Sequence, residues 1–274
     1  MPWALGVPAA LGAAFLVVPL VALVWRSPWR DLGRLLDDRT VLEALRLSLI
    51  SATSATVIAL VLGVPLAWVL ARSTLPGVGL LRALVTLPLV MPPVVGGVAL
   101  LYAFGRTGLL GRPLDVWFGV TIPFSTTAVV MAETFVAMPF LVVTVEGAFR
   151  AADTGYDEAA ATLGASALTR FRRVTLPLVR PSLIAGAVLC WARALGEFGA
   201  TITFAGSFPG RTETMPIAIY LQLQTDPRAA TALALVLLVV SMVVLVALRG
   251  RWWSAGRRLP RTPAAVELAP RTLR

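Results

Sequence analysis

The feature that most constrains this chain is a series of apolar runs too long for a soluble core. Residues 4–25 carry no charged side chain, and neither do 47–70, 83–105 or 229–248. About 20 such residues are enough for a helix to cross the ~30 Å hydrocarbon core of a bilayer. Two further segments are long enough but interrupted: 126–147 contains Glu133 and Glu146, and 181–205 contains Arg193 and Glu197. Composition agrees. Hydrophobic residues make up 58% of the 274 and charged residues 14%, against roughly 25% charged in an ordinary soluble domain. The expected fold is an all-α polytopic membrane protein with six transmembrane helices in a domain covering 1–248. The remainder, 249–274, is rich in Arg and Pro and is expected to be a disordered basic tail.

The first run has no basic residue before Arg26 and no small-residue cleavage site after it, so it is read as a retained span rather than a signal peptide. With six spans both termini share one side. Placing them in the cytoplasm puts 14 Arg and four acids inside, against nine Arg and seven acids outside. The positive-inside rule favours that orientation, in a cell (plasma or inner) membrane. The net charge of +10 is thus a topology signal, and no nucleic-acid partner is expected.

Absent residue types exclude much chemistry. All 24 basic residues are Arg, there is no His, and Cys190 is the single cysteine. A disulfide framework or Cys/His zinc site within one chain is excluded, and so are Ser-His-Asp and Cys-His catalysis. No metal site and no catalytic residue is expected. A phosphate-binding P-loop needs its Lys, so ATP, if it drives the protein, binds to another subunit.

The loop between spans four and five carries the clearest signal, DTGYDEAAATLGASALTRFRRVTLPLVRP. It reads as two short helices at a membrane surface. Asp153 or Thr154 can cap the first, with Asp157 and Glu158 favourable in its first turn. Ala159, Ala160 and Ala161 are small helix formers, and Gly164 stops or bends the helix. Ser166 can cap the second helix, and Arg170, Arg172 and Arg173 near its end suit the helix dipole and anionic headgroups. Docking into another protein and a plain connecting loop are both open on these residues alone.

Glu158-Ala159-Ala160, Gly164, Val174 and Leu176-Pro177 resemble, at every spacing, the EAA motif of membrane subunits of ATP-binding-cassette importers. Arg193 to Thr201 (RALGEFGAT) resembles the molybdate, tungstate and sulfate permeases. So do Leu87 to Gly97, Gly105 to Gly108 and Met215 to Tyr220. The stretch Thr201 to Gly206 and the six-span count are closer to molybdate permeases. The resemblance implies a homodimer with two separate ATPase subunits that bind ATP-Mg, and an extracytoplasmic oxyanion-binding protein. It implies no cofactor in this chain. The coupling segment would be Asp157, Glu158, Ala159, Ala160, Leu163, Gly164, Ala165 and Ser166. A sulfate or thiosulfate permease is the near alternative. A passive anion channel or a membrane enzyme is the distant one: the channel leaves the EAA loop without a purpose, and the enzyme lacks His, Lys and paired catalytic carboxylates.

Arg193 and Glu197 are four apart and share a helix face. Either they form a structural ion pair, or Arg193 lends positive potential to an anion path with Glu197 orienting it. Intramembrane charges usually pair. Glu133 has no partner within its own span. It either reaches Arg193 or sits near the outer end in water. Glu146 lies near the inner end, where its carboxylate can snorkel to water. Pro92, Pro93, Gly96 and Gly97 break span three and make it a candidate gate or lining element, or else a packing kink.

Overall fold

The computed structural model describes residues 3–36 and 38–255, and side chains of residues 5–34 and 38–247 within them. Every element among the described residues is helical. In chain order the helices are α1 (Trp3–Arg26), α2 (Leu32–Leu36), α3 (Arg39–Arg72), α4 (Val78–Val90), α5 (Pro93–Phe104), α6 (Gly111–Phe118), α7 (Thr126–Ala151), α8 (Gly155–Thr162) and α9 (Ala167–Arg170). A π-helical turn, Phe171–Thr175, leads into α10 (Leu176–Leu195). Then come α11 (Gly199–Ala205), α12 (Met215–Thr225) and α13 (Pro227–Ala255).

Among the described residues, five stretches are long and apolar enough to cross a membrane: α1, α3, α7, α10 with its lead-in, and α13. The segment read as span three is two shorter apolar helices, α4 and α5, separated at Met91 and Pro92. Span five is divided too, between Leu195 and Gly199. α13 runs past position 248 to Ala255. Residues 256–274, where the rest of the expected tail falls, lie outside the described residues.

The centre of the molecule is α7, packed between α3 and α10. Ala52, Ala55, Ala59, Ala137 and Ala194 are fully buried there, with Leu141 and Cys190. Lipid tails are as apolar as leucine, so helices in a membrane associate through close packing, which small residues allow. Gly63 on α3 and Gly186 on α10 both bring backbone against the Leu141 region of α7. Around this core, α5 and α11 pack on the other half of α7. α1 stands apart: its described side chains are almost all exposed, and it touches little besides α13.

Candidate functional site

The two divided spans meet. A Cβ added at Gly97 on α5 would lie 2.7 Å from Thr203 Cβ and 2.8 Å from the Ala200 carbonyl oxygen on α11. One added at Gly199 would lie 2.8 Å from Pro93 Cβ. Gly96 is buried against Phe135 of α7. Gly96 and Gly97 therefore close a helix contact. Pro92 and Pro93 are exposed, as are Val94, Val95 and Val98 on the same short helix. Pro92 precedes the first turn of α5 and Pro93 opens it, where a missing N–H costs nothing.

The break in span five is polar. α10 ends at Leu195, so Arg193 and Glu197 do not share one continuous helix; they bridge its end. Arg193 Nη2 lies within ion-pair distance of Glu197 Oε2. Glu197 Oε1 accepts a hydrogen bond from the Ala200 backbone N–H at 2.9 Å. That carboxylate is buried and caps α11, satisfying one of the donors every helix start leaves free. Arg193 keeps 27% of its side-chain surface.

Glu133 takes neither expected placement. It is 1% exposed, and its Oε1 accepts a hydrogen bond from Ser51 Oγ of α3 at 2.8 Å. One turn earlier on α3, Ser48 Oγ accepts from the Met215 N–H at 2.7 Å, at the start of α12. Two serines on one face of α3 thus tie it to α7 and to α12. Glu146 is a hub rather than a snorkelling group. Its Oε1 takes Arg82 Nε at 2.7 Å and Arg150 Nη2 at 3.0 Å. Arg82 also donates to the Leu70 carbonyl at 2.8 Å, near the end of α3. α3, α4 and α7 are locked together there.

The loop after α7 forms two helices. Asp153 Oδ1 accepts from the Gly155 N–H at the start of α8, with Asp157 and Glu158 in its first turn. Gly164 follows with φ of 81°, a left-handed conformation that suits glycine. Ser166 Oγ accepts from the Thr169 N–H and caps α9. Glu158, Ala159, Leu163, Gly164 and Ser166 are all exposed; Asp157, Ala160 and Ala165 are partly so. The π turn places Phe171 between Trp68 of α3 and Phe149 of α7, ring centroids 6.1 and 6.2 Å away.

A family model for the binding-protein-dependent transport system inner membrane component matches residues 59–254. The chain belongs to that family. It is a multi-pass membrane permease, the transport subunit of a binding-protein-dependent system. The permease is 52% identical over 244 residues to the molybdenum transport system permease protein of Mycobacterium tuberculosis, covering 89% of this chain and 92% of that one. It is 40% identical to the Escherichia coli protein of the same name, covering 77% and 92%. It is 35% identical to a sulfate transport system permease protein of Salmonella typhimurium, covering 93% of each. Its fold matches a chain of a bacterial alginate ABC transporter solved with its alginate-bound periplasmic protein. The TM-score is 0.76 at 17% identity, covering 93% of this chain and 94% of that chain.

Sequence reasoning about the permease missed α6, α12 and the Glu146 cluster. α12 had visible signals: Thr214 precedes it, Pro216 sits in its first turn and Asp226 ends it. Arg150, four residues after Glu146, was a visible local partner, but Arg82 and the Ser51 partner of Glu133 lie 64 and 82 residues away, so no local pattern marks those two. Beside α12, burial pushes the Glu213 carboxyl above its ordinary range.

Proposed function

We propose that this permease forms the translocation path for molybdate or tungstate, delivered by an extracytoplasmic binding protein. The observation that carries this reading is the 52% identity, over nearly the whole length, to a permease named for molybdenum transport. The sulfate relative is more distant at 35%.

In this reading the chain crosses the membrane six times, with α4 and α5 together making one crossing and both termini cytoplasmic. Two copies pair, and each docks one separate ATP-binding-cassette ATPase through the α8–α9 loop, from Asp157 to Ser166. Exposed small side chains there allow close backbone approach, and the loop's caps fix its shape before docking. ATP-Mg, held by the ATPase, supplies the free energy. Movement of α8 and α9 passes through the π turn, where Phe171 bears on both α3 and α7. The exposed face of α5, from Pro92 to Val98, lines the path, while Gly96 and Gly97 hold α5 to its neighbours. Arg193 gives the path positive potential; Glu197 orients it and, by capping α11, fixes the hinge beside it.

The test is ATPase activity of the complete complex in proteoliposomes, with binding protein loaded in turn with molybdate, tungstate and sulfate. Stimulation by the first two and not by sulfate is expected. A preference for sulfate would replace the substrate and keep the mechanism. Failure to assemble with any ATPase would overturn the docking role of the loop and return a passive channel to consideration.

A further inference from the structure

A cavity of about 310 Å³ lies beneath the last turn of α3, enclosed by the start of the α8–α9 loop and the π turn. Its walls include Trp68, Arg72, Thr154, Asp157, Arg170 and Thr175. We infer that this cavity binds the phosphodiester headgroup of an anionic phospholipid, at the junction between the membrane core and the loop. The inference concerns a site apart from the translocation path and does not depend on which anion is transported.

Charge is the first argument. Two guanidinium groups and one carboxylate line the cavity, leaving one formal positive charge, which matches the single negative charge of a phosphodiester. The cations are only lightly engaged. Among the described residues Arg72 Nη2 makes one long hydrogen bond, 3.4 Å, to the Ala152 carbonyl. Arg170 Nη1 is 3.5 Å from Asp157 Oδ2, and its buried Nε has no acceptor among the described residues. A guanidinium carries five donors in a planar fork, and such forks suit phosphate oxygens. Thr154 and Thr175 add two hydroxyls to the lining.

The second argument is what leads to the cavity. On α3, Val57, Val61, Pro65 and Trp68 are exposed, at spacings of three and four residues that place them on one face. The next residue of that stripe is Arg72. An acyl chain lying along the stripe carries its headgroup to the arginines. Trp68, 41% exposed, lies one turn before the end of α3, and tryptophans at the ends of spanning helices collect at membrane interfaces. Inorganic phosphate has no use for the stripe.

Native mass spectrometry of the purified full chain, with added phosphatidylglycerol or phosphatidylcholine, tests the site. Wild type should retain phosphatidylglycerol about fivefold over phosphatidylcholine, the scale of one basic charge at a membrane surface. The doubly substituted R72Q/R170Q chain should show no preference; an unchanged preference would overturn the inference. Should that variant fail to fold, wild type is photolysed with phosphatidylglycerol bearing a diazirine beside the phosphate. Adducts on the peptides holding Trp68 and Phe171 are expected, and adducts confined to other peptides would sink the site. Competition by millimolar inorganic phosphate would reassign the site to a free anion. Release of the lipid when the ATPase binds would reassign it to a protein contact. Either result overturns the lipid assignment.

Discussion

Spans three and five both pack against α7 and both are interrupted, and opposite chemistry interrupts them. Between α4 and α5 the cause is steric: Pro92 and Pro93 lack N–H groups and force the preceding residue out of helical geometry. Between α10 and α11 there is no proline. Gly196 and Gly199 relax the backbone, and Glu197 folds back to cap the new helix start while holding Arg193. The proline break is written into covalent structure and persists in any surroundings. The carboxylate break depends on one hydrogen bond and one ion pair, so it can respond to the charge nearby.

The strongest way to break the comparison is to remove what both interruptions share, their mutual contact. Gly97→Leu puts side-chain carbon where Thr203 and the Ala200 backbone already are, and backbone cannot swing aside. A loss of about 3 kcal/mol or more is expected, at or beyond the upper end for overpacking. It would be read as loss of monodisperse protein on size exclusion and a lowered unfolding midpoint. Normal behaviour would mean that α5 and α11 do not approach this closely. Next in size is Glu197→Ala, which removes the cap, worth about 1 kcal/mol, and leaves a half-buried guanidinium without its partner. Together these should cost on the order of 2 kcal/mol. Glu197→Gln keeps an acceptor for the Ala200 N–H, so it should recover roughly the cap's share while still impairing transport. Equal stability losses for the two would show that the cap contributes nothing. Smallest is Pro92→Ala, expected to change stability by less than about 1 kcal/mol. An effect larger than that of Glu197→Ala would reverse the ranking of the two breaks.

The same contrast explains what could be read in advance. Pro92 and Pro93 announce their break because proline acts locally. The break at Gly196 does not announce itself: the sequence shows Arg193 and Glu197 four apart, which on its own suggests a continuous helix face. The loop from Asp153 to Arg170 was legible for the same local reason as the prolines. Its caps and its glycine act within three or four residues, and they appear in place. Glu133 was legible only as an anomaly, a carboxyl in an apolar run. Its partner Ser51 is an ordinary small residue on another helix. Short helices such as α6 and α12 escaped because mixed composition at their length does not separate helix from loop.

The π turn between α9 and α10 carries a consequence for how the loop is aimed. Five residues, Phe171–Thr175, wind more loosely than the α-helix on either side, the geometry a helix adopts when one residue too many is accommodated without a bulging loop. Each residue of an α-helix turns the chain by about 100°. Deleting a single residue from this turn would leave a regular helix of almost the same length. Winding all five residues as regular α-helix would instead swing α8 and α9 roughly a quarter-turn around the axis of α10, and take Phe171 off its two aromatic neighbours. The bearing of the loop is therefore set by how loosely this turn winds, and it can be lost without the loss of any contact surface on the loop itself.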